Sequence, residues 1–212
     1  MIENIQVFTQ NSIRIKNGEK KIYVDPFQMR EEPRDADFIL ITHDHHDHFS
    51  PEDIAKVRKD STLLIVPEAM LRKAEQESGF ISNIYPVKPE TFHEIEGLTF
   101  DTIPSYNNLK PFHPKSAGWI GYLLRINGKR IYIAGDTSLT KDAKEVKCDI
   151  ALVPIGGTYT MDVKKAAELI NIIRPEIAVP VHYGSIVGKK EDAETFRELV
   201  DDTIRVEILM QY

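Results

Sequence analysis

Six consecutive residues, from His43 to His48, contain four histidines and two aspartates. They follow the apolar run Phe38-Ile-Leu-Ile-Thr42, which is typical of a buried β-strand, and they precede a helix start at Ser50-Pro51. Side chains of this kind repel one another when charged and pack poorly in a core when neutral, but they are good ligands for divalent metals. We therefore predict that the cluster forms a loop at the end of this buried strand and that the loop binds metal.

A solvated histidine-rich loop, or an incidental metal-binding tract, is the alternative interpretation. Such tracts are usually terminal and lack a flanking core strand, whereas this cluster is internal. Alternation along an extended chain places His43 and His45 on one side. Asp47 and His48 follow at a bend, where they could face a second ion. We therefore predict that one short loop serves two metals.

A loop with four candidate ligands cannot close two metal sites alone, so distant partners are required. Asp136 ends the apolar run from Ile131, and its carboxylate could bridge two ions; His182 ends a similar run from Ile177. His113 lies in a loop rich in proline and asparagine, and His93, which alternates within a predicted strand, competes with it as a ligand. Singly, Asp136 could instead cap a turn, His182 could be a core histidine, and His113 could be a surface residue. Together with the cluster, they favour a metal site.

Charge and length exclude several classes of protein. The 212 residues carry 27 Lys and Arg against 33 Asp and Glu, a formal charge of −6 without a basic block, which disfavours nucleic-acid binding. No apolar run approaches the roughly 20 residues of a membrane span, and the start lacks a signal-peptide pattern. The single cysteine, Cys148, fits a reducing compartment. We predict a cytoplasmic protein with one domain over 1–212 and no nucleic-acid or membrane partner.

Two Asn-Gly pairs, Asn17-Gly18 and Asn127-Gly128, predict β-hairpins. Each is followed by charged residues, Ile-Tyr, a short apolar step and an aspartate, either Asp25 or Asp136. This echo indicates an internal duplication, although chance similarity between short β segments would also explain it. Helices are predicted from Ser50 and over 67–78, 161–174 and 191–200. Alternating strands and helices favour a layered α/β sandwich.

With these residues the sequence resembles the metallo-β-lactamase-fold hydrolase superfamily. Residues 43–48 match its His-x-His-x-Asp-His signature, Gly135-Asp136 its later aspartate, and Pro180-Val-His182 its terminal histidine. The resemblance implies a four-layer αββα sandwich with two halves related by a pseudo-twofold axis. It also implies that Asp25 supports the histidine loop. The implied dinuclear ligand sets are His43, His45 and His113 for one ion, Asp47, His48 and His182 for the other, and Asp136 as the bridge.

Departures from the common pattern indicate the branch. Phe49-Ser50-Pro51-Glu52 follows the signature where many members have Gly-Gly, and with segments such as 156–160 this resembles the compact branch that includes L-ascorbate-6-phosphate lactonase. The common zinc β-lactamases carry cysteine where Asp136 stands, so penicillin hydrolysis is disfavoured. Flavodiiron proteins carry glutamate where His45 stands, and nucleases with a large inserted domain need a longer chain.

The expected chemistry is hydrolysis, because two divalent ions activate a bridging water as hydroxide and polarise the bond under attack. Zinc is the expected metal, and manganese, iron or nickel also suits these ligands. Two divalent ions, less the charges of Asp47, Asp136 and a hydroxide, leave one positive charge, which favours a small anionic ester, lactone or phosphoester. Asp47 is the candidate catalytic residue that accepts and passes the proton. The alternative is a non-catalytic sensor that binds metal or ligand.

Three residues beside the ligands are candidate substrate contacts. Lys115 could meet a substrate anion, and Tyr159 and Tyr183 could donate a hydrogen bond to an oxyanion; each is otherwise an ordinary solvated or packed residue. The loop over 104–114 is a candidate lid or an interface of a homo-oligomer. His46 alternates away from His43 and His45 and is predicted to face outward.

Overall fold

The structure is a computed structural model that describes residues 1–79, 83–108 and 112–211. The chain divides into two compact units: the first comprises Met1–Lys88 with the C-terminal residues from Met210, and the second comprises Pro89–Leu209. Each unit has its own β-sheet and its own helices. The α/β class predicted from the sequence is confirmed, and the single domain over 1–212 stays a prediction.

The first unit is built on a six-stranded sheet whose strands follow one another in chain order. Its elements are β1 (Ile5–Val7), β2 (Ile13–Asn17), β3 (Lys20–Val24), β4 (Ala36–Leu40), α1 (Pro51–Val57), β5 (Arg58–Pro67), α2 (Leu71–Glu77) and β6 (Ile84–Val87). Strands β1 to β3 are antiparallel, and β3 to β6 pair in parallel. Both helices pack against the sheet, where Ile54 and Ala74 join a cluster with Ile39 and Leu64.

The second unit contains a seven-stranded sheet with the order β13-β12-β11-β10-β9-β8-β7. Its elements are β7 (Phe92–Ile95), β8 (Leu98–Pro104), β9 (Ile120–Ile126), β10 (Lys129–Ile133), α3 (Lys141–Lys144), β11 (Ile150–Pro154), α4 (Val163–Ile173), β12 (Ile177–Val181), α5 (Asp192–Leu199) and β13 (Arg205–Val206). Strands β7 to β10 are antiparallel, and β10 to β13 are parallel.

The two sheets repeat one order of pairing. In each, a hairpin leads to a strand that pairs in parallel with the next strand: β2-β3-β4 in the first unit and β9-β10-β11 in the second. The second hairpin turns at Asn127-Gly128, as predicted, with φ of 51° and 75°. In the first, Asn17 pairs with Lys20, so the turn lies one residue later with glycine first, as a type II′ turn requires. This repetition supports the internal duplication.

The helix starting after Ser50 is confirmed. The Ser50 hydroxyl accepts from the Asp53 backbone N–H at 3.3 Å, and Pro51 occupies the first helical position. Helix α4 starts two residues later than predicted, because the Asp162 carboxylate caps it by accepting from the Lys165 N–H at 2.8 Å.

The helix predicted over 67–78 is shorter than expected at its start. Strand β5 continues to Pro67, which pairs with Val87 of β6, and Glu68–Met70 form a 3₁₀ turn before α2 begins. Parallel pairing at the sheet edge thus wins over helix propensity in these residues. Among residues 1–79, 83–108 and 112–211, no helix is both long and apolar enough to cross a bilayer.

Candidate metal centre

The histidine loop begins where β4 ends, as the sequence predicts. The Thr42 N–H donates to the Asp25 carboxylate at 2.8 Å, which holds the first residue of the loop against the end of β3. The backbone N–H groups of His48 and Phe49 both donate to the His45 carbonyl, at 3.0 and 2.8 Å. This tight turn reverses the chain, so His48 returns towards the start of the loop.

A buried carboxylate orients two of the imidazoles. Asp25 is fully buried, and its Oδ2 accepts from the Asn11 amide at 2.6 Å, from the Thr42 hydroxyl at 2.6 Å, and from His48 Nδ1 at 2.7 Å. Because Thr42 donates its only hydroxyl proton to Asp25, its oxygen accepts from His43 Nδ1 at 3.0 Å. Both imidazoles therefore carry their proton on Nδ1 and keep the Nε2 lone pair for a metal.

The metal-facing atoms of the loop lie close together. His43 Nε2 is 3.1 Å from His45 Nδ1, and His48 Nε2 is 3.6 Å from Asp47 Oδ2. Two nitrogens bound to zinc at about 2.05 Å in tetrahedral geometry lie about 3.3 Å apart, so the two imidazoles fit ligands of one ion. His43, Asp47 and His48 are buried, and His45 is partly exposed.

His46 lies outside the predicted ligand set, and its Nδ1 is 3.8 Å from Asp47 Oδ1. Its side chain is 78% exposed, and its ring lies edge-on to Phe27 with centroids 6.0 Å apart. The prediction that His46 faces outward is confirmed. Asp44, the other residue of the cluster outside the predicted ligand set, lies 3.8 Å from the Lys73 ammonium, which also donates to the Asp44 carbonyl.

The second unit brings its three predicted ligands together at the ends of separate strands. Asp136 follows β10, His182 follows β12, and His113 lies in the loop between β8 and β9. Asp136 Oδ1 is 3.2 Å from His182 Nε2, and Asp136 Oδ2 is 3.5 Å from His113 Nε2. All three side chains are buried. Each oxygen of one carboxylate thus faces a different histidine.

The backbone at these positions is unusual. Asp25, His113 and His182 have φ of 43°, 61° and 57°, in the left-handed region that few residues other than glycine adopt. Such conformations are costly and cluster at functional sites. Close packing adds a constraint, because a Cβ added to Gly156 would overlap the His182 carbonyl oxygen.

Asn107 organises the loop that carries His113. Its amide nitrogen donates to the carbonyls of Tyr159, at 2.7 Å, and Phe112, at 3.1 Å, and it lies 3.2 Å from His113 Nδ1. The Asn107 backbone N–H also donates to the His113 carbonyl at 2.7 Å. Trp119 packs edge-on against the His113 ring, with centroids 5.0 Å apart. Residues 109–111 of the predicted lid lie outside the described residues.

The competing histidine, His93, has other contacts. It lies in β7, hydrogen-bonds the Thr91 hydroxyl at 2.7 Å and stacks on Phe100 with centroids 5.1 Å apart. Burial lowers its pKa, which favours the neutral ring. Since His113 is the histidine that faces Asp136, the geometry favours His113 as the ligand.

The predicted substrate contacts differ in their surroundings. Lys115 pairs with Asp142 at 3.1 Å and lies over the Tyr106 ring, so its charge is already balanced. Tyr183 is buried, and burial raises the pKa of its phenol to about 12. Tyr159 is 37% exposed. The Lys115 side chain is 54% exposed, so Lys115 and Tyr159 can both be reached from solvent, whereas Tyr183 is buried.

The donor set in both units suits a divalent metal. Imidazole nitrogens, with the lone pairs of His43 and His48 fixed by hydrogen bonds, and buried carboxylates fit zinc, and also manganese, iron and nickel. The supporting residues Thr42, Asn11 and Asn107 were missed from the sequence. In the sequence, Thr42 and Asn11 are ordinary polar residues, and nothing marks Asn107 within its loop. Only the structure shows that Thr42 and Asn11 both donate to Asp25.

Comparisons with known proteins agree with this chemistry. Residues 4–182 match the family model of the beta-lactamase superfamily domain. A UPF0173 metal-dependent hydrolase from Pyrococcus abyssi is 32% identical over 207 residues, which cover 91% of this chain and 90% of that protein. A crystal structure of a protein from Parabacteroides distasonis has 30% identity and a TM-score of 0.81, covering 98% of this chain and 93% of that one.

A third comparison shows how much chemistry this fold accommodates. A diiron β-hydroxylase from Streptomyces venezuelae has a TM-score of 0.76 at 15% identity, and covers 97% of this chain and 52% of that protein. Its likeness concerns the fold alone. The predicted metallo-β-lactamase fold is confirmed by these matches.

Proposed function

The chain belongs to the beta-lactamase superfamily and, within it, to the UPF0173 metal-dependent hydrolases, and from this premise we propose that it hydrolyses a small substrate with two divalent ions. The proposed ligands of one ion are His43, His45 and His113. Those of the other are Asp47, His48 and His182, with Asp136 shared between the two.

The position of Asp136 is the observation that carries the dinuclear proposal. Its two oxygens lie 3.2 and 3.5 Å from His182 Nε2 and His113 Nε2. A carboxylate placed in this way can give one oxygen to each of two ions. One histidine on each oxygen supports a carboxylate that bridges two ions.

The histidine loop supports the same assignment. His43 and His45 present two nitrogens 3.1 Å apart, and Asp47 and His48 present an oxygen and a nitrogen 3.6 Å apart. Each pair needs a further ligand to complete a site of three or more protein donors. The two histidines beside Asp136 supply one such ligand for each pair.

Divalent ions bound there would lower the pKa of a water to near neutrality and polarise the bond under attack. Asp47 is the proposed general base, because its carboxylate lies beside the proposed ligand His48, with 3.6 Å between Asp47 Oδ2 and His48 Nε2. Water adds to the carbonyl or phosphoryl centre, its proton passes to Asp47, and the leaving oxygen takes a proton as its bond breaks. Asp25 and Thr42 hold the His43 and His48 rings throughout.

The proposed substrates are small anionic esters, lactones and phosphoesters, as in the lactonase-like branch. Two divalent ions with Asp47, Asp136 and a hydroxide keep one positive charge in a chain of net charge −6. That local charge tolerates an anion without any dedicated lysine. Lys115, which pairs with Asp142, is not needed for this role.

Metal reconstitution followed by a substrate screen tests this function. The protein is loaded with zinc, manganese, iron or nickel and assayed on p-nitrophenyl phosphate esters, homoserine lactones and sugar lactones. We expect two bound ions per chain and metal-dependent turnover in at least one substrate class. Two ions without turnover on any substrate would favour the metal-binding sensor instead.

Two neighbouring histidines provide matched variants. His45→Ala removes a proposed ligand and should lower both metal content and turnover. His46→Ala removes the adjacent imidazole, which is 78% exposed and whose Nδ1 lies 3.8 Å from Asp47 Oδ1, and should lower both far less. Equal effects of the two substitutions would contradict the ligand assignment.

A further inference from the structure

Two exposed aromatic rings lie on the loops that hold His113. Phe112 directly precedes this histidine and is 48% exposed, and Tyr159 is 37% exposed. Their rings pack edge to face, with centroids 5.3 Å apart and an interplanar angle of 80°. Edge-to-face packing fixes both rings, so the pair presents a defined apolar surface.

The pair is tied to the metal centre through one amide. Asn107 donates to the backbone carbonyls of both Phe112 and Tyr159, and the same nitrogen lies 3.2 Å from the His113 ring. Ser138, two residues after Asp136, donates its hydroxyl to the Asn107 side-chain oxygen at 2.5 Å. These hydrogen bonds therefore fix the position of the aromatic pair relative to His113 and Asp136.

Room for a ligand exists on the same loops. A cavity of about 370 Å³ in the second unit is lined by Leu139 and Met161, by polar neighbours of Asn107 and Tyr159, and by the charged side chains of Lys144, Asp162, Lys165 and Glu168. This volume lies within the range of small-molecule sites. Leu139 and Met161 make part of its lining apolar. The neighbours of Asn107 and Tyr159 thus border a space that can take an organic group.

The exposed pair is apolar. Lys115, three residues after Phe112, is engaged by Asp142 and by the Tyr106 ring. Two half-exposed aromatic rings leave apolar area in water, and such area commonly marks a binding surface. We propose that Phe112 and Tyr159 form a specificity surface that binds an apolar group, aryl or alkyl, next to the hydrolysed bond of the substrate.

This inference rests on the proposed function for its location and adds a substrate class. The substrate then has two parts: an ester, lactone or phosphoester group that meets the metals, and an apolar substituent that packs on Phe112 and Tyr159. A substrate with a small polar substituent loses the second contact. Differences of this kind in a hydrophobic site change selectivity by about 10-fold or more.

Binding of two phosphonates to the metal-loaded protein tests the surface. Methylphosphonate and phenylphosphonate carry the same anion and differ in the apolar group, and calorimetry gives the Kd of each. We expect phenylphosphonate to bind about 10-fold more tightly to the wild type. This preference should disappear in the double variant Phe112→Ala with Tyr159→Ala, while methylphosphonate binding stays the same.

Two control variants sharpen the test. Phe92→Ala removes an aromatic ring that is 58% exposed in the same unit and contacts Arg125, and it should keep the preference. Tyr159→Phe keeps the ring and removes the hydroxyl, so it should also keep the preference. Loss of the preference in Tyr159→Phe would assign the hydroxyl, not the ring, to the ligand and overturn the proposal.

The remaining outcomes separate this inference from the proposed function. Equal affinity of the wild type for both phosphonates, or an unchanged preference in the double variant, would overturn the specificity surface. Hydrolysis of the p-nitrophenyl esters of methylphosphonate and of phenylphosphonate is measured in parallel. A binding preference that needs Phe112 and Tyr159, without turnover of either ester, would support the surface and count against hydrolysis of phosphonate esters.

Discussion

Substitution of Asp25 by asparagine tests the link between the buried carboxylate and the metal ligands. Asp25 accepts four hydrogen bonds: from the Asn11 amide, the Thr42 N–H, the Thr42 hydroxyl and His48 Nδ1. An amide has one acceptor oxygen, so one bond is lost if that oxygen takes the Oδ2 position and three are lost if the NH₂ group does. At about 1.5–3 kcal/mol for each bond to a charged group, the free energy of unfolding should fall by at least about 1.5–3 kcal/mol.

The metal affinity should fall as well, for a reason that stability alone does not supply. An amide NH₂ facing His48 Nδ1 favours the tautomer with the proton on Nε2, where a metal would bind. Loss of such supporting contacts typically weakens metal binding by about 10–100-fold. Competition with a chromophoric chelator gives the metal Kd, and urea denaturation gives the free energy of unfolding.

Asp37→Asn is the matched control. Asp37 lies in the same sheet, accepts from the Lys21 N–H at 2.8 Å and pairs with Lys59 at 2.7 Å. It should lose some stability and keep its metal affinity. A metal affinity for Asp25→Asn equal to that of the wild type would refute the reasoning that Asp25 sets the His48 tautomer.

Three further predictions concern single side chains. Asp47→Ala should sharply lower turnover with partial loss of metal, and near-normal turnover would reject Asp47 as the proton acceptor. Burial lowers the pKa of His93 below 6.5, so its contribution to the free energy of unfolding is complete above that pH and is lost as the pH falls. Between about pH 7.5 and about pH 5, the free energy of unfolding of His93→Gln should therefore fall less than that of the wild type. Metal content should stay unchanged in His93→Gln, whereas His113→Gln should lose metal. Burial raises the pKa of Cys148 to about 12, so iodoacetamide should label this thiol only after unfolding, and rapid labelling of the native protein would contradict its burial.

Much of the fold follows from local signals in the sequence. The Asn-Gly pairs, the apolar runs and the serine cap before Pro51 act over a few residues, so hairpins, strands and α1 were predicted in the right places. The errors arose where long-range pairing decides. Pro67 joins β5 because it pairs with Val87, twenty residues away, and no local pattern reports such a partner.

The candidate ligands were predictable because they lie at strand ends and carry distinctive side chains. Their supporting contacts were harder to foresee. Thr42 is an ordinary strand residue until Asp25 takes its proton and His43 donates to its oxygen. Asn107 gains its role from carbonyls at 112 and 159, which only the folded loops bring to one amide.

Lys115 shows the opposite limit. Two residues after His113, its charge suggested a contact with a substrate anion, whereas the structure pairs it with Asp142, 27 residues later in the chain. A free cation and a paired cation look identical in sequence. The hydrogen bond that the Lys115 ammonium donates to Asp142 raises the pKa of Lys115, which keeps the pair charged at neutral pH.

Anomalous X-ray scattering from crystals of the zinc-loaded protein tests the central claim most directly. We predict two anomalous peaks about 3.5–4 Å apart, the spacing of two-metal hydrolytic sites. One peak should lie against His43, His45 and His113. The other should lie against Asp47, His48 and His182, and Asp136 should contact both. A single peak, or peaks away from Asp136, would contradict the dinuclear centre.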